Sequence, residues 1–360
     1  MALLWVDGFE GYETTDGHYI ADRLTRRGYT HPGGGGVRYS VRDGRFGGKS
    51  LWLYGDGSPW VRTPALTTDR TLIAGVSIYM EGTGTGGGAN PIITFFDGDN
   101  NEGMMVYLNG DPGRGTKFQI ARGWSGAAPA AILETVDDPL FPMPLQWYHL
   151  EFKVYCDNTA GTYELKLNGV TIASDTGVDT QEGTSNYHQS VRLHSINDRT
   201  PHYDDLYVCD GTGSKNNDFL GVVKAVPIFP ESDHTAQWET VVGGPNHADS
   251  VDEIEPDDDT TYIEDDDVGD KDIFEYADIT DSLVSIDGLM LHTICRETDA
   301  TTFDIIQIIR SGGTEYDQAS QAVGSSSYVN RYDILESDPD TALDWTKTGI
   351  NAAQFGVKVD

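Results

Sequence analysis

Basic residues are scarce in this chain. Its 24 lysines and arginines stand against 58 aspartates and glutamates, a formal net charge of −34, and that excess opposes the phosphates of nucleic acids and the head groups of anionic membranes. Both are excluded as partners. Cysteine is scarcer still: Cys156, Cys209 and Cys295 are odd in number and lack metal-type spacing, which excludes a disulfide framework or a zinc site and leaves buried free thiols. Long hydrophobic runs are missing too. The opening Met1-Ala-Leu-Leu-Trp-Val6 runs straight into Asp7, so neither a membrane span nor a signal peptide is expected. Helical periodicity is confined to one short stretch, Tyr19 to Arg27, which also holds the one compact basic cluster. There is no Gly-x-Ser-x-Gly elbow and no cysteine beside a histidine motif, which removes the common nucleophile arrangements.

What is present is β-structure. The 42 glycines and 15 prolines, with 38% hydrophobic residues, suit tight turns between short strands better than a disordered chain. Tyr148, Leu150, Phe152 and Val154 alternate with His149, Glu151 and Lys153, the two-residue period of a strand with one buried face. Tyr163, Leu165 and Leu167 repeat the pattern, with Glu164 and Lys166 facing outward. Asn168-Gly169 supplies the two positive-φ residues of a type I′ hairpin, after which Val170 and Ile172 are expected to resume the inward face. Asp43-Gly44 and Asp56-Gly57 punctuate earlier strands. Phe303 to Arg310, β-branched and followed by Ser-Gly-Gly, reads as a buried strand.

A chain of 360 residues has room for two domains. The composition shifts at the polar stretch Asp210 to Asp218. From Phe219 onward 7 basic residues face 31 acidic ones, a net −24, against −10 for the first 218. The expectation is an all-β protein of two tandem β-sandwich domains, residues 1–215 and an acidic 220–360. Gly44-Arg-Phe-Gly-Gly-Lys-Ser-Leu-Trp-Leu, Trp147-Tyr-His-Leu-Glu-Phe with Leu167-Asn-Gly-Val, and Tyr203-Asp-Asp-Leu-Tyr-Val-Cys-Asp-Gly-Thr-Gly together resemble the concanavalin A-like (laminin G-like) jelly roll of tailed-bacteriophage virion proteins. Gln237-Trp238, Asp258 to Tyr262, Gly269 to Phe274, Arg310 to Asp317 and Asp344 to Val357 are similar to the C-terminal modules of such proteins.

The candidate sites are few. Gly44 to Ser50 has the look of a phosphate loop, but Asp43 stands where a Walker sequence needs glycine and a strand follows it. Asp97 to Gly103 alternates oxygen ligands, yet Glu102 and Leu108 occupy the positions an EF-hand gives to glycine and glutamate. Glu253-Ile-Glu255-Pro-Asp-Asp258 faintly resembles a paired-carboxylate glycosidase strand, interrupted by Pro256. His188 and His194 have the even spacing of a shared strand face. Trp60 and Trp124 are candidates to stack on sugar rings, with a place in the core as the alternative. The densest anomaly is the acidic tract from Asp252 to Asp272. Its Asp257, Asp265, Asp267 and Asp270 are candidate ligands for a divalent cation, calcium above all, although no cofactor is required by the fold.

The resemblance implies a non-enzymatic virion structural protein, tail-associated as a fibre or minor tail protein or decorating the capsid. It would be assembled in the host cytoplasm with other virion proteins as a homo-oligomer and contact the host surface. The alternatives are an adhesin that binds a host surface glycan and a glycan-cleaving enzyme.

Overall fold

The computed structural model describes residues 2–12, 17–32, 38–55, 58–81, 89–111, 115–126, 128–136, 145–196, 200–254, 256–282, 285–298 and 302–360. The chain forms two compact units, Met1–Ala225 and Val226–Asp360. Both are β-structures.

The first unit is a jelly-roll sandwich of two antiparallel sheets. In one, the strands Val170–Val178, Gly161–Leu167, Trp147–Tyr155, Thr71–Met80, Pro201–Asp210, Lys49–Tyr54 and Arg38–Asp43 lie side by side in that order, and Leu3–Asp7 also pairs with Pro201–Asp210. The six-stranded sheet runs Trp60–Arg62, His188–His194, Ala89–Asp97, Glu102–Asp111, Gly115–Trp124, Pro129–Val136. Leu150, Phe152 and Val154 from one sheet and Ile93, Phe95, Val106 and Ile120 from the other fill the space between them, and all are fully buried. Phe95 meets Phe152 at 5.0 Å between ring centroids. Each such side chain contributes about 1.5–3 kcal/mol through burial.

The hairpin expected at Asn168-Gly169 is present, with φ of 51° and 80°, and Glu151 faces Lys166 and Lys153 faces Glu164 across the ladder. Beyond it the expectation fails. Val170, opposite Leu167 at the hairpin end, is 65% exposed, and a register shift between Leu165 and Lys166 sets Ala173 opposite Leu165 and buries it where Ile172 was expected. The helix spans Gly17–Arg26 and buries Ile20 and Leu24. Just past its end, Arg27 and the Tyr29 hydroxyl both donate to Asp7, at 3.2 and 3.0 Å, and the Trp5 indole donates to Tyr29 at 2.8 Å.

The first unit extends past the polar stretch that the sequence marks as a linker. Residues 218–225 form a strap over the eight-stranded sheet. Asp218 pairs with Lys153 at 3.0 Å, the Leu220 amide donates to the Tyr207 hydroxyl at 3.1 Å, and the Gly221 amide donates to Glu151 at 2.8 Å. The Ala225 amide donates to Asp205 at 2.9 Å.

In the second unit, Pro230–Ala236, Lys271–Tyr276, Gln354–Val359, Asp304–Ser311 and Thr314–Asp317 form a sheet in that order, with Gln321–Ala322 also on Asp304–Ser311. The strand expected from Phe303 to Arg310 is an interior element of it, between Gln354–Val359 and the outermost Thr314–Asp317. Ile309, Phe355 and Trp345 pack on one side with Leu335, Leu289 and Leu291 of the ribbon formed by Leu289–Cys295 and Val329–Leu335. Ile273, Ile306 and Ile308 form a second cluster. Thr240–Val242 pairs with Tyr262–Glu264 in a further ribbon. Thr346 caps the short helix Lys347–Asn351 by accepting from the Gly349 amide.

Candidate functional site

Alternation along the six-stranded sheet sends Arg62, Arg192, Thr94, Met105 and Ala121 to the face turned away from the sandwich core, in one row across five strands. Tyr107 and Trp124 pack with Met105 and Ala121 in an apolar patch separate from the main core. The arginine guanidinium groups sit over aromatic rings. Arg62 and Arg192 both stack on Phe96, at 4.0 and 4.1 Å, and Arg192 also covers Trp60 at 4.0 Å. Burial pushes the Arg192 guanidinium down to about 10, against the pull of Glu102, to which it donates at 2.7 Å. Arg62 donates to Ser190 at 2.7 Å and to Asn100 at 2.8 Å.

Beside this ladder lies a cavity of about 300 Å³ lined by Asn101, Glu102, Trp124, Gly126 and Glu182. Distant parts of the sequence build it. Asp97 accepts the Asp99 and Asn101 amides at 2.9 and 2.7 Å and so shapes the hairpin tip that presents Asn101 and Glu102. Asp99 accepts the Thr184 and Ser185 amides at 3.1 and 3.0 Å, tying that tip to the loop that carries Glu182. Gly123 (φ +66°) makes room for Glu182, since a Cβ there would sit 2.3 Å from the carboxylate. The site thus offers an aromatic wall, two carboxylates and an amide, the mixture that holds a small polyhydroxylated ring.

A second polar cluster lies on the outer face of the eight-stranded sheet. An extra residue in the Pro201–Asp210 strand, at Asp205 with φ of 51°, breaks the ladder between Asp204 and Tyr207. Asp204 accepts the Arg45 and Asp205 amides at 2.6 and 2.8 Å, and Arg45 donates to Ser77 at 2.8 Å. Ser77 meets His149 at 3.2 Å. Burial, then the neighbouring Asp205, pushes Asp204 up to about 8, and burial pushes Asp205 up to about 6. Burial and the Arg45 charge lower His149 to about 4. Glu151 accepts from the Tyr207 hydroxyl at 2.6 Å. All of these groups but the half-buried Arg45 are closed off from solvent. Toward one end of the face the sheet carries Trp147, Tyr79, His202 and Trp52 in a continuous aromatic row.

The residues singled out from sequence fare differently. Asp265, Asp267 and Asp270 do converge, with one oxygen of each within 4.8 Å of the others. Asp257 is used elsewhere, accepting from the amide and hydroxyl of Thr261 at 3.0 and 2.8 Å. Asp265 already accepts the Glu239 and Asp267 amides, so convergence alone does not make a cation site. A bound ion would stabilise the fold by about 2.7 kcal/mol at a hundredfold excess over its dissociation constant. Its signature is a higher melting temperature in calcium than in sodium chloride of equal ionic strength, lost in Asp265→Asn with Asp267→Asn. Equal temperatures assign the tract to solvated loop. Glu253 bonds to Thr261, and Glu255 lies outside the described residues. His188 and His194 do not share a face, because a register shift between His188 and Ser190 turns His188 toward Phe95 of the core while His194 meets Thr94 outside. Gly44 to Gly48 is a hairpin turn, and Lys49 and Ser50 open the strand that follows it.

No family model matches the chain, and neither does any curated protein. Among solved structures it is similar to the alginate lyase Aly36B, with a TM-score of 0.42 and 11% identity over 58% of this chain and 96% of that one. It is similar to an endo-β-1,4-glucuronan lyase from the fungus Trichoderma reesei, at 0.38 and 12% over 50% and 90%. A carbohydrate esterase, vb_24B_21, from the Shiga toxin-encoding bacteriophage phi24B aligns at 0.36 and 15% over 52% and 91%. The expectation of a chain without enzymatic activity is corrected at this point. Lyases and an esterase are among the solved structures to which it is similar, and a fold does not by itself exclude catalysis.

Proposed function

We propose that the first unit recognises a glycan on the outer face of the six-stranded sheet. The cavity carries this reading: Trp124 forms one wall for a sugar ring, and Glu102, Glu182 and Asn101 stand around it to accept and donate hydrogen bonds to hydroxyls. Trp124→Ala removes that wall and is expected to weaken binding about tenfold or more, from the loss of roughly 1.5–3 kcal/mol of apolar burial. The measurement is a glycan array of the whole chain followed by titration of the strongest ligand. No ligand on the array, or equal affinity in the variant, overturns the proposal.

A second reading, glycan cleavage, is favoured by one observation, that two carboxylates line a single cavity. Acid and base on opposite sides of a glycosidic bond is the arrangement such chemistry needs. A reducing-end assay on the same ligands, with Glu102→Gln and Glu182→Gln as controls, separates cleavage from binding. The setting we propose is a tailed-phage particle in contact with a host surface, a setting that rests on the sequence resemblance of both units. Gold-labelled antibody on intact particles tests it.

A further inference from the structure

Charge is distributed unevenly around the cavity on the six-stranded sheet. The hairpin tip and the loop that carries Glu182 bring together the carboxylates of Asp97, Asp99, Glu102, Asp179 and Glu182, and the arginines that pair with or face them are three, Arg62, Arg122 and Arg192. Carboxylates are in excess. Arg192 holds Glu102 at 2.7 Å, and Arg122 holds Glu182 at 3.4 Å and also pairs with Asp179.

In each pair the arginine is the more buried partner. The side chains of Arg192 and Arg122 are 13% and 22% exposed, against 26% for Glu102, 29% for Glu182 and 45% for Asp179. Arg192 is covered further by Trp60 and Phe96. Glu102 and Glu182 line the cavity and neither arginine does, so the guanidinium groups fix the carboxylates from behind, and no basic side chain is among the lining residues. Each arginine meets a single oxygen, Oε1 of Glu102 and Oε2 of Glu182. Among the described residues, the second oxygen of each has no partner.

A ligand entering this cavity therefore meets anionic acceptors and no cation. An acidic sugar is repelled, a neutral one donates hydroxyls, and an ammonium group gains charge-assisted hydrogen bonds, roughly twice as strong as neutral ones. The net charge of −34 adds a field that concentrates cations at the surface. We propose that the cavity takes a glycan with a free amino group, a hexosamine, in preference to neutral or acidic sugars. Glu102 and Glu182 hold the amine while the apolar face of the ring lies on Trp124. This names the ligand class of the proposed glycan site and rests on that reading.

Calorimetric titration of the whole chain with glucosamine, N-acetylglucosamine and galacturonate oligomers of equal length, in a mildly acidic buffer that protonates the amine, tests it. The glucosamine oligomer is expected to bind about tenfold or more tighter than its N-acetyl counterpart, the difference between charged and neutral hydrogen bonds, and the uronate not to bind. Added salt is expected to erode the first affinity far more than the second. Glu102→Gln and Glu182→Gln keep shape and remove charge, and each is expected to bring glucosamine toward the N-acetyl affinity. If both variants fail to fold, the probe ranking and salt dependence of the wild type decide. A lysine trimer that binds as tightly as glucosamine would mean that charge alone is read, and overturns the proposal. Equal affinity for the glucosamine and N-acetyl oligomers, or preference for the uronate, overturns it and leaves the glycan reading standing, whereas a glycan array without any ligand removes both.

Discussion

Asp272→Ala is expected to destabilise the second unit by about 3 kcal/mol or more, among the largest effects of any single substitution in that unit. The carboxylate is fully buried and accepts the Gln237 and Trp238 amides at 2.7 and 3.1 Å and the His247 ring nitrogen Nδ1 at 2.6 Å. Removing it leaves three donors without their acceptor, each at about 1–3 kcal/mol when left unmade. Asp272→Asn keeps one acceptor for the two amides but turns a donor toward His247, so a smaller loss is expected. Urea unfolding followed by tryptophan fluorescence measures both. An alanine variant within 1 kcal/mol of wild type, taking about 1 kcal/mol as an ordinary net hydrogen bond, would show that water replaces the carboxylate.

The paired carboxyls at Asp204 and Asp205 lead to a pH dependence of the first unit. Their folded pKa values lie above the unfolded value, at about 8 and about 6. Through these two groups the folded state binds more protons than the unfolded state between about pH 4 and pH 8 and loses stability as pH rises, while the buried His149 and His188, held below their unfolded value, act in the opposite sense up to about pH 7. Between pH 6 and 8 Asp204 gives most of the carboxyl contribution, close to one proton, or on the order of 2–3 kcal/mol across the interval. Relative to Asp204→Asn, the melting temperature of the wild type is expected to fall from pH 6 to 8. Parallel profiles for the two proteins would mean that Asp204 is ionised throughout, held so by the Arg45 and Asp205 amides.

Local chemistry made part of this structure legible in advance. Asn168-Gly169 reads as a turn because few other residue pairs adopt two consecutive positive φ values, and the Trp147 strand reads correctly because its inward residues are large and its outward ones charged. The misreadings share a cause, which is register. One shifted residue near Leu165 buries Ala173 in place of Ile172, and another between His188 and Ser190 puts two evenly spaced histidines on opposite faces. Nothing in composition marks a bulge. The cavity was illegible for a different reason: Glu102, Trp124 and Glu182 lie far apart along the chain, and only strand pairing and the Asp99 bonds to Thr184 and Ser185 bring them together. Trp124 carried a signal from its residue type alone. Asp272 looked like one more member of a solvated acidic tract, and only its three partners separate it from Asp265 to Asp270.

The strap over the eight-stranded sheet also has a mechanical consequence. Tension applied from the C-terminal side reaches the Ala225–Asp205 bond first, then the Gly221 and Leu220 amides, and last the Asp218–Lys153 pair. Bonds loaded one after another yield at low force, unlike a strand pulled in shear, where the whole row must fail at once. Eight residues peeled in this way release about 27 Å of extended chain at 3.3–3.6 Å each. The sandwich core need not open for that length to be paid out, so the protein carries a short reserve of slack that absorbs a pull before the fold feels it.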